Sequence, residues 1–435
     1  MGRSLPKPAA DTAQDAAARR AIASTLVCSL TAPLLPCNAY GQPTITPVEY
    51  LPCCGTYVEV AGVDLNGMNA VGTHYGVFTQ DRYHAQKWSR TTGLLDLGVY
   101  PGGYNSLGRA ISGDGSTVVG DSYGHAFRWT QQTGMLWLPT PPPNQSASAM
   151  AISTDGTTIV GSMSRSSGSQ AFVWRADTGM QALAAPDAGT NAEATGTNDA
   201  GDVVVGNTWL SETTRAFRWT QATGMLDLGT LGGSSSTQAT AVSADGSAVT
   251  GESSNQAFRW THAAGMQAIP NLAGTYRARG RGLTADGTYV VGTSYQTTGF
   301  PKPFIWSEAT GTVNLAEHLL LQGVVLTDWD LYEANSISPD GSVMAGMGAF
   351  GGQMSGWVVR GLPPLGTNCD STDFNHDGVA APDSDLSDFV LVFAGGQCSN
   401  SPFCGDIDFN NDGLCPDTLD IDAILTAISG GPCLR

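Results

Sequence analysis

The chain has 435 residues, 38 of them acidic and 20 basic, for a formal net charge of −18; a nucleic-acid face, which needs clustered Lys and Arg to displace phosphate counterions, is argued against. Only 13% of residues are charged and 55 are Gly, the balance of a turn-rich protein of one or two globular domains. No stretch of the mature chain has the ~20 apolar residues of a membrane helix.

The first segment reads as an export signal over residues 1–41. Arg3, Lys7, Arg19 and Arg20 precede an uncharged, mostly apolar run from Ala21 to Pro36, too short to span a bilayer comfortably, and a basic stretch followed by such a core is a secretory signal. Ala39 and Gly41 supply the small side chains for cleavage after Gly41. Arg19-Arg20 and Cys37 leave twin-arginine export and a lipoprotein anchor open as routes.

Residues 42–364 are repetitive. Trp88, Trp129, Trp174, Trp219, Trp260, Trp306 and Trp357 recur at spacings of 41 to 51. Upstream of each lie two glycines five apart, from Gly67/Gly72 and Gly115/Gly120 to Gly341/Gly346. Within residues 240–271, the runs TAVS, SAVTG, QAFRW and MQAIP are short and β-prone, with turn signals between them. Four antiparallel strands in ~45 residues, repeated seven times, predict an all-β, seven-bladed β-propeller. The last repeat stops at Gly361-Leu-Pro-Pro without a fourth strand, while Val48-Glu-Tyr-Leu-Pro stands spare at the other end; residues 47–52 are therefore expected to complete the seventh blade, removing open edges.

The repeated segments His125-Ala-Phe-Arg-Trp-Thr, Arg215-Ala-Phe-Arg-Trp-Thr and Thr223-Gly-Met-Leu-Asp-Leu-Gly-Thr-Leu-Gly-Gly resemble the HAF-repeat family of secreted bacterial proteins, over about residues 47–362. The resemblance implies export and a propeller-like fold, and no activity. The repeated Trp and Phe are expected to pack between blades; an aromatic platform for sugar rings is the functional alternative. The Asp of Ser112-Gly-Asp114-Gly115 and its copies suits a tight turn, with Asp capping the backbone and Gly at positive φ. That pattern is similar to the Asp-box of sialidase propellers, but the aromatic that should follow is missing, and no Arg cluster or Tyr-Glu pair stands out. The six His lack zinc spacing, no G-x-S-x-G elbow occurs, and Glu is scarce for a glycosidase pair. No catalytic residue is assigned.

Residues 365–435 form a duplicated acidic loop and helix. Asp373-Phe-Asn375-His-Asp377-Gly378-Val379 matches Asp408-Phe-Asn410-Asn-Asp412-Gly413-Leu414 at a shift of 35. Side-chain oxygens at loop positions 1, 3 and 5, a Gly at 6 and the carbonyl of Val379 or Leu414 at 7 suit Ca²⁺, predicting two sites. Asp385 and Asp420 are the closing acidic ligands, with Asp383, Asp388, Asp417 and Asp422 as rivals, since each falls one place late. Leu386, Phe389, Val390 and Phe393, then Ile421, Ile424, Leu425 and Ile428, give each loop a helix with one apolar face. Two loop-helix units in tandem resemble dockerin modules, a resemblance that implies a calcium-dependent attachment domain. The same shift relates Cys369 to Cys404 and Cys398 to Cys433; bridges Cys369–Cys398 and Cys404–Cys433 would lock the units in an oxidising compartment. Ordinary dockerins do not need such cysteines, which speaks against a cohesin as partner. Cys53, Cys54 and Cys415 stay unassigned.

The expectation is an exported monomer, non-catalytic, whose propeller offers a face to a glycan or cell-envelope protein and whose tail attaches it. The alternative is a secreted carbohydrate-active enzyme with a docking tail. Carboxylates and Arg converging in the central channel would favour the enzyme, and a channel of small and apolar residues the binder.

Overall fold

The computed structural model describes residues 43–48, 58–77, 82–142, 146–166, 168–187, 190–210, 213–233 and 236–362. The export signal, all nine cysteines and every proposed calcium ligand, from Asp373 to Asp420, lie outside the described residues.

Seven four-stranded antiparallel sheets follow one another along the chain. After β1 (Thr44–Val48), blade 1 holds β2 (Val58–Val63), β3 (Asn69–Val77), β4 (Arg82–Ser89) and β5 (Gly93–Asp96); blade 2 holds β6 (Ser106–Ile111), β7 (Thr117–Ser122), β8 (His125–Thr130) and β9 (Gly134–Trp137). Blade 3 is β10 (Ala147–Ile152), β11 (Thr158–Arg165), β12 (Gly168–Arg175) and β13 (Gly179–Ala182), and blade 4 is β14 (Asn191–Thr197), β15 (Val203–Leu210), β16 (Thr213–Thr220) and β17 (Gly224–Asp227). Blade 5 is β18 (Thr237–Val242), β19 (Ala248–Ser253), β20 (Gln256–Thr261) and β21 (Gly265–Ile269), and blade 6 is β22 (Arg277–Leu283), β23 (Val290–Tyr295), β24 (Lys302–Ser307) and β25 (Gly311–Asn314). Helix α1 (Leu315–Leu321) leads to blade 7, with β26 (Trp329–Ile337), β27 (Met344–Phe350) and β28 (Gln353–Arg360). The first strands of the blades touch in a closed ring, β2 to β6 and onward to β26 and back to β2. This is the expected seven-bladed propeller, with those strands around the channel.

Closure comes from β1, which pairs antiparallel with β28 in the sheet order β1-β28-β27-β26. The fourth-strand place is filled from the amino terminus as expected, over Thr44–Val48, with Thr44 opposite Arg360 and Val48 opposite Gly356. Of the expected residues 47–52, Pro47 and Val48 lie in this pairing, which starts earlier than expected, and 49–52 lie outside the described residues.

The core is seven separate hydrophobic clusters, one at each junction between blades. Val71, Ala85 and Leu97 of blade 1 meet Ile111, Val118, Phe127 and Trp129 of blade 2, and equivalent sets join each later pair. Phe127, Phe172, Phe217, Phe258 and Phe304 are fully buried, so the repeated aromatics are inter-blade packing. The second glycine of each pair makes room for this: a Cβ on Gly206 would lie 2.0 Å from the Glu193 carbonyl oxygen and 2.7 Å from the Phe217 ring. Helix α1, which the repeat pattern did not foretell, is capped by Asn314 accepting from the Ala316 amide and buries Leu315 and Leu319 in the junction of blades 6 and 7 beside Trp357.

The end of the propeller that carries the Asp-Gly turns, here the lower end, is a belt of turn hydrogen bonds. Ser112 Oγ donates to Asp114 at 2.6 Å and accepts from the Thr117 amide at 3.0 Å, while Asp114 accepts from the Ser116 amide at 2.9 Å; Gly115 has φ 70°. In four blades a cation next to the Trp, before it in Lys87, Arg218 and Arg259 and after it in Arg175, reaches the turn of the next blade. Lys87 Nζ donates to the Gly115 carbonyl at 2.5 Å, Arg175 Nη2 to Gly201 at 2.6 Å, Arg218 Nε to Gly246 at 3.1 Å and Arg259 Nε to Gly287 at 2.6 Å. The repeated Asp is thus engaged within its own turn, and these cations in holding neighbouring blades together.

Candidate ligand-binding mouth of the channel

A residue on the innermost strand that is neither buried between blades nor at a strand end has only the channel as its solvent. Two positions per blade meet this description. Each innermost strand carries a β-bulge at the same place, giving a ring of Ala61, Arg109, Met150, Thr195, Thr240, Arg281 and Asn335. Two residues earlier, towards the upper end, stand Glu59, Leu107, Ser148, Glu193, Gln238, Arg279 and Glu333, and all fourteen are half-buried. A bulge re-aims its side chain and leaves backbone groups unpaired. Several bulge residues satisfy the inner edge of the next blade: Thr195 Oγ1 donates to the Ala239 carbonyl at 3.0 Å, Thr240 Oγ1 to Gly280 at 2.6 Å and Asn335 Nδ2 to Val60 at 2.9 Å.

Charge concentrates in the sector of blades 6, 7 and 1. Arg277, Arg279 and Arg281 alternate along β22. Arg277 is held by Glu252 through two bonds of 2.7 Å, Nε to Oε1 and Nη2 to Oε2, and lies 5.2 Å from the Tyr295 ring centroid. Blade 7 contributes Glu333, whose carboxyl is pushed above the ordinary carboxylate range by burial, against the pull of Arg281 and with the added push of Glu59. Glu59 of blade 1 accepts from Tyr75 Oη at 2.8 Å. No Arg cluster or Tyr-Glu pair stands out in the sequence for a sialoside; the structure sets Arg277, Arg279 and Arg281 along one strand and Tyr75 against Glu59. Arg-Ala-Arg-Gly-Arg is contiguous, and period-2 alternation would have put its cations on one side of a strand, whereas Glu59 and Tyr75 meet only through the pairing of β2 with β3. Elsewhere the ring is mostly neutral or self-paired, as with Arg109 Nε donating to Asp121 at 3.3 Å.

Around this mouth the upper end is aromatic. The exposed large aromatics among the described residues are Tyr104, Tyr123, Trp137, Tyr276, Phe300 and Phe350. All six lie on the connections between blades, on the hairpins joining the second and third strands, or at strand ends beside them. On blade 2, Trp137 is stacked between Tyr100 at 3.6 Å and His125 at 3.9 Å, with Tyr104 edge-on to Tyr123 at 5.9 Å. On blades 6 and 7, Phe300 stacks on Tyr332 at 4.2 Å and Trp329 tilts over Phe350 at 4.9 Å. The exposed aromatics come from loops and strand ends where each repeat departs from the others, which is why the repeat motif did not announce them.

Blade 1 also carries a polar inclusion. Gln86 stands where five other blades have Phe, and both of its amide atoms are buried without a hydrogen bond; His74 is fully buried with both ring nitrogens unpartnered. His84 Nδ1 sits 2.9 Å from Asp96 Oδ2. Among the described residues no three His, Cys, Asp or Glu side chains converge as metal ligands. Burial holds the His74 pKa below its ordinary value, against the pull of Asp96 and with the push of His84. An unfolded chain then binds this proton more readily than the folded one, so stability is full above about pH 6.5 and falls as the pH drops below it. The melting temperature of wild type is expected to fall between about pH 7 and pH 5, and His74→Met, the residue blade 3 uses as Met163, is expected to flatten that part of the profile.

No protein family matches the chain, and neither does any curated protein. Among solved structures it is similar to an oligogalacturonate lyase from Vibrio parahaemolyticus, at 10% identity over 74% of this chain and 94% of that one, TM-score 0.49. It is also similar to a putative TolB from Agrobacterium tumefaciens, at 16% over 67% and 97%, TM-score 0.42, and to virginiamycin B lyase from Staphylococcus aureus, at 12% over 73% and 98%, TM-score 0.47. The blade count stands on this chain's own strand pairing. No helix among the described residues is long and apolar enough to cross a membrane.

Proposed function

We propose that the protein is an exported, non-catalytic glycan-binding propeller that takes its ligand at the upper mouth of the channel and is attached to an envelope component through its tail. The observation that carries the reading is the one-sidedness of the surface: the six exposed large aromatics all lie at the upper end, where Arg279, Glu333 and Glu59 also stand. Aromatic faces beside convergent hydrogen-bonding groups are the usual make-up of a sugar site, since ring C–H faces stack while hydroxyls need donors and acceptors. The lower end is occupied by its own turn hydrogen bonds. In the tail, Asp373, Asn375, Asp377, Val379 and Asp385, with Asp408, Asn410, Asp412, Leu414 and Asp420, would hold two Ca²⁺ through hard oxygens.

A second reading, a carbohydrate-active enzyme, is favoured by the mark expected of it, carboxylates and Arg meeting in the channel: Glu59, Glu333, Arg279 and Arg281 share the sector of blades 6, 7 and 1. Burial and the neighbouring carboxylate of Glu59 raise the Glu333 pKa above the ordinary carboxylate range, against the pull of Arg281, the direction a general acid needs. The two readings part on product formation. In retention on immobilised polysaccharides, Tyr104→Ala with Tyr123→Ala is expected to lose binding at least tenfold while Thr133→Ala, in a lower-end turn, keeps it. Equal retention of all three would refute the mouth as the site, and new reducing ends or unsaturated products, lost in Glu333→Gln, would replace the binder with the enzyme.

A further inference from the structure

We infer that the ligand carries an oxyanion, a carboxylate or a sulfate ester, and that Arg279 and Arg281 bind it. The inference rests on the proposal that the channel mouth is the binding site and adds the ligand's charge class. The two side chains are half-buried in the channel wall on neighbouring alternate positions of β22, and the Nε of each is buried with no hydrogen-bond partner. Other arginines of the propeller are engaged: Arg277 with Glu252, Arg109 with Asp121, and Arg175, Arg218 and Arg259 with turn carbonyls. The nearby carboxylates do not pair with these two. Glu252 is taken by Arg277, Glu59 accepts from Tyr75, and Glu333 feels Arg281 electrostatically without forming an ion pair with it.

Two half-buried guanidinium groups side by side, without counter-ions, are unfavourable in the free protein. Burial, and then the like charge of Arg281, depress the Arg279 pKa. A bound oxyanion relieves both costs, because a guanidinium presents a planar fork that matches the two oxygens of a carboxylate or sulfate. Places where a fold tolerates such a local penalty are those where function supplies the compensation. The exposed Tyr276 and Phe300 at the upper end of the same blade give the anion's carrier a face to lie against, and the inference therefore points to an acidic saccharide rather than a free small anion.

The test is titration calorimetry of the full chain in calcium with three oligosaccharides of equal length: a uronate tetramer, a sulfated tetramer and an uncharged tetramer. At least one acidic tetramer is expected to bind at least tenfold more tightly than the uncharged one, and which of the two does so separates carboxylate from sulfate. Arg279→Gln and Arg281→Gln should each weaken acidic binding at least tenfold, and Arg279→Lys, which keeps charge but loses the fork, should fall between. Because each Gln variant removes an unpaired buried charge, its melting temperature should stay at or above that of wild type, which separates lost binding from lost folding. Equal binding of the uncharged and acidic tetramers, unaffected by Arg279→Gln, overturns the oxyanion assignment and leaves the channel-mouth proposal standing. Absence of binding by all three overturns both.

Discussion

A chain lacking residues 43–48 is expected to lose its single cooperative melt and to unfold over a broad range, with the blades at the two ends of the array loosening first. Strand β1 makes five register pairs with β28, Thr44 to Val48 against Arg360 to Gly356. Its last residue, Val48, is 1% exposed in the cluster where Val343, Ala345 and Val358 of blade 7 meet Val60, Ala70 and Trp88 of blade 1. Removing the strand strips β28 of its outer partner, uncaps that junction and converts a closed ring into an open array whose ends have only one neighbour. Stability in an open array is a sum of nearest-neighbour terms without a closing term, and the exposed β28 edge becomes able to recruit other chains. Calorimetry of the truncated and intact chains checks this. A single sharp transition at an unchanged temperature would mean that β1 contributes nothing to closure.

The second large effect concerns a reciprocal pair of substitutions. Gln86→Phe is expected to stabilise the protein by about 2 kcal/mol, and Phe217→Gln to destabilise it by about 4 kcal/mol. At the junction of blades 7 and 1, the gap lined by Val48, Val60, Ala70, Val71, Gly72, Gln86, Trp88 and Leu94 holds an amide with no hydrogen bond. A dry, unsatisfied amide costs roughly 1–3 kcal/mol, and replacing it with an apolar group removes that penalty. Gly72 already leaves open the floor on which Phe rings lie in other blades, as Gly206 does beneath Phe217. At position 217 the same exchange works in reverse, deleting a ring that is 2% exposed and leaving a polar group in its place. Chemical denaturation of both variants reads the two signs. A destabilised Gln86→Phe would show that blade 1 has repacked around its polar inclusion and no longer has room for a ring.

The sequence made legible whatever recurs. Each Trp, each glycine pair and each Asp-Gly turn performs the same packing or turn task in blade after blade, so seven copies of a weak local signal added up to a strong one. Lys87, Arg218 and Arg259 before the Trp recurred too, yet their target, a carbonyl in the following repeat, is reached only when blades are stacked side by side. The closing strand was foreseen from a missing element, and its earlier start at Thr44 was not, because pairing register depends on β28, more than 300 residues away. The channel mouth was least legible. Glu59, Arg279 and Glu333 come from three different blades and meet only through rotation about the propeller axis. Their positions are the ones at which the repeats differ, and a motif built from similarity passes over them. Arg277-Ala-Arg279-Gly-Arg281 was the one local clue, an innermost strand carrying three cations in place of the small or neutral residues of its counterparts Ala147–Ile152 and Thr237–Val242.

The proposed division of labour between propeller and tail is tested most directly by binding of the full chain to a panel of glycans and envelope fractions, in calcium and in chelator. Binding to a defined glycan is expected to persist in chelator and to be lost in Tyr104→Ala with Tyr123→Ala, while retention on envelope fractions disappears in chelator. Binding that is chelator-sensitive throughout, and indifferent to the channel-mouth substitutions, would contradict that division of labour and make the propeller a scaffold carried by its tail.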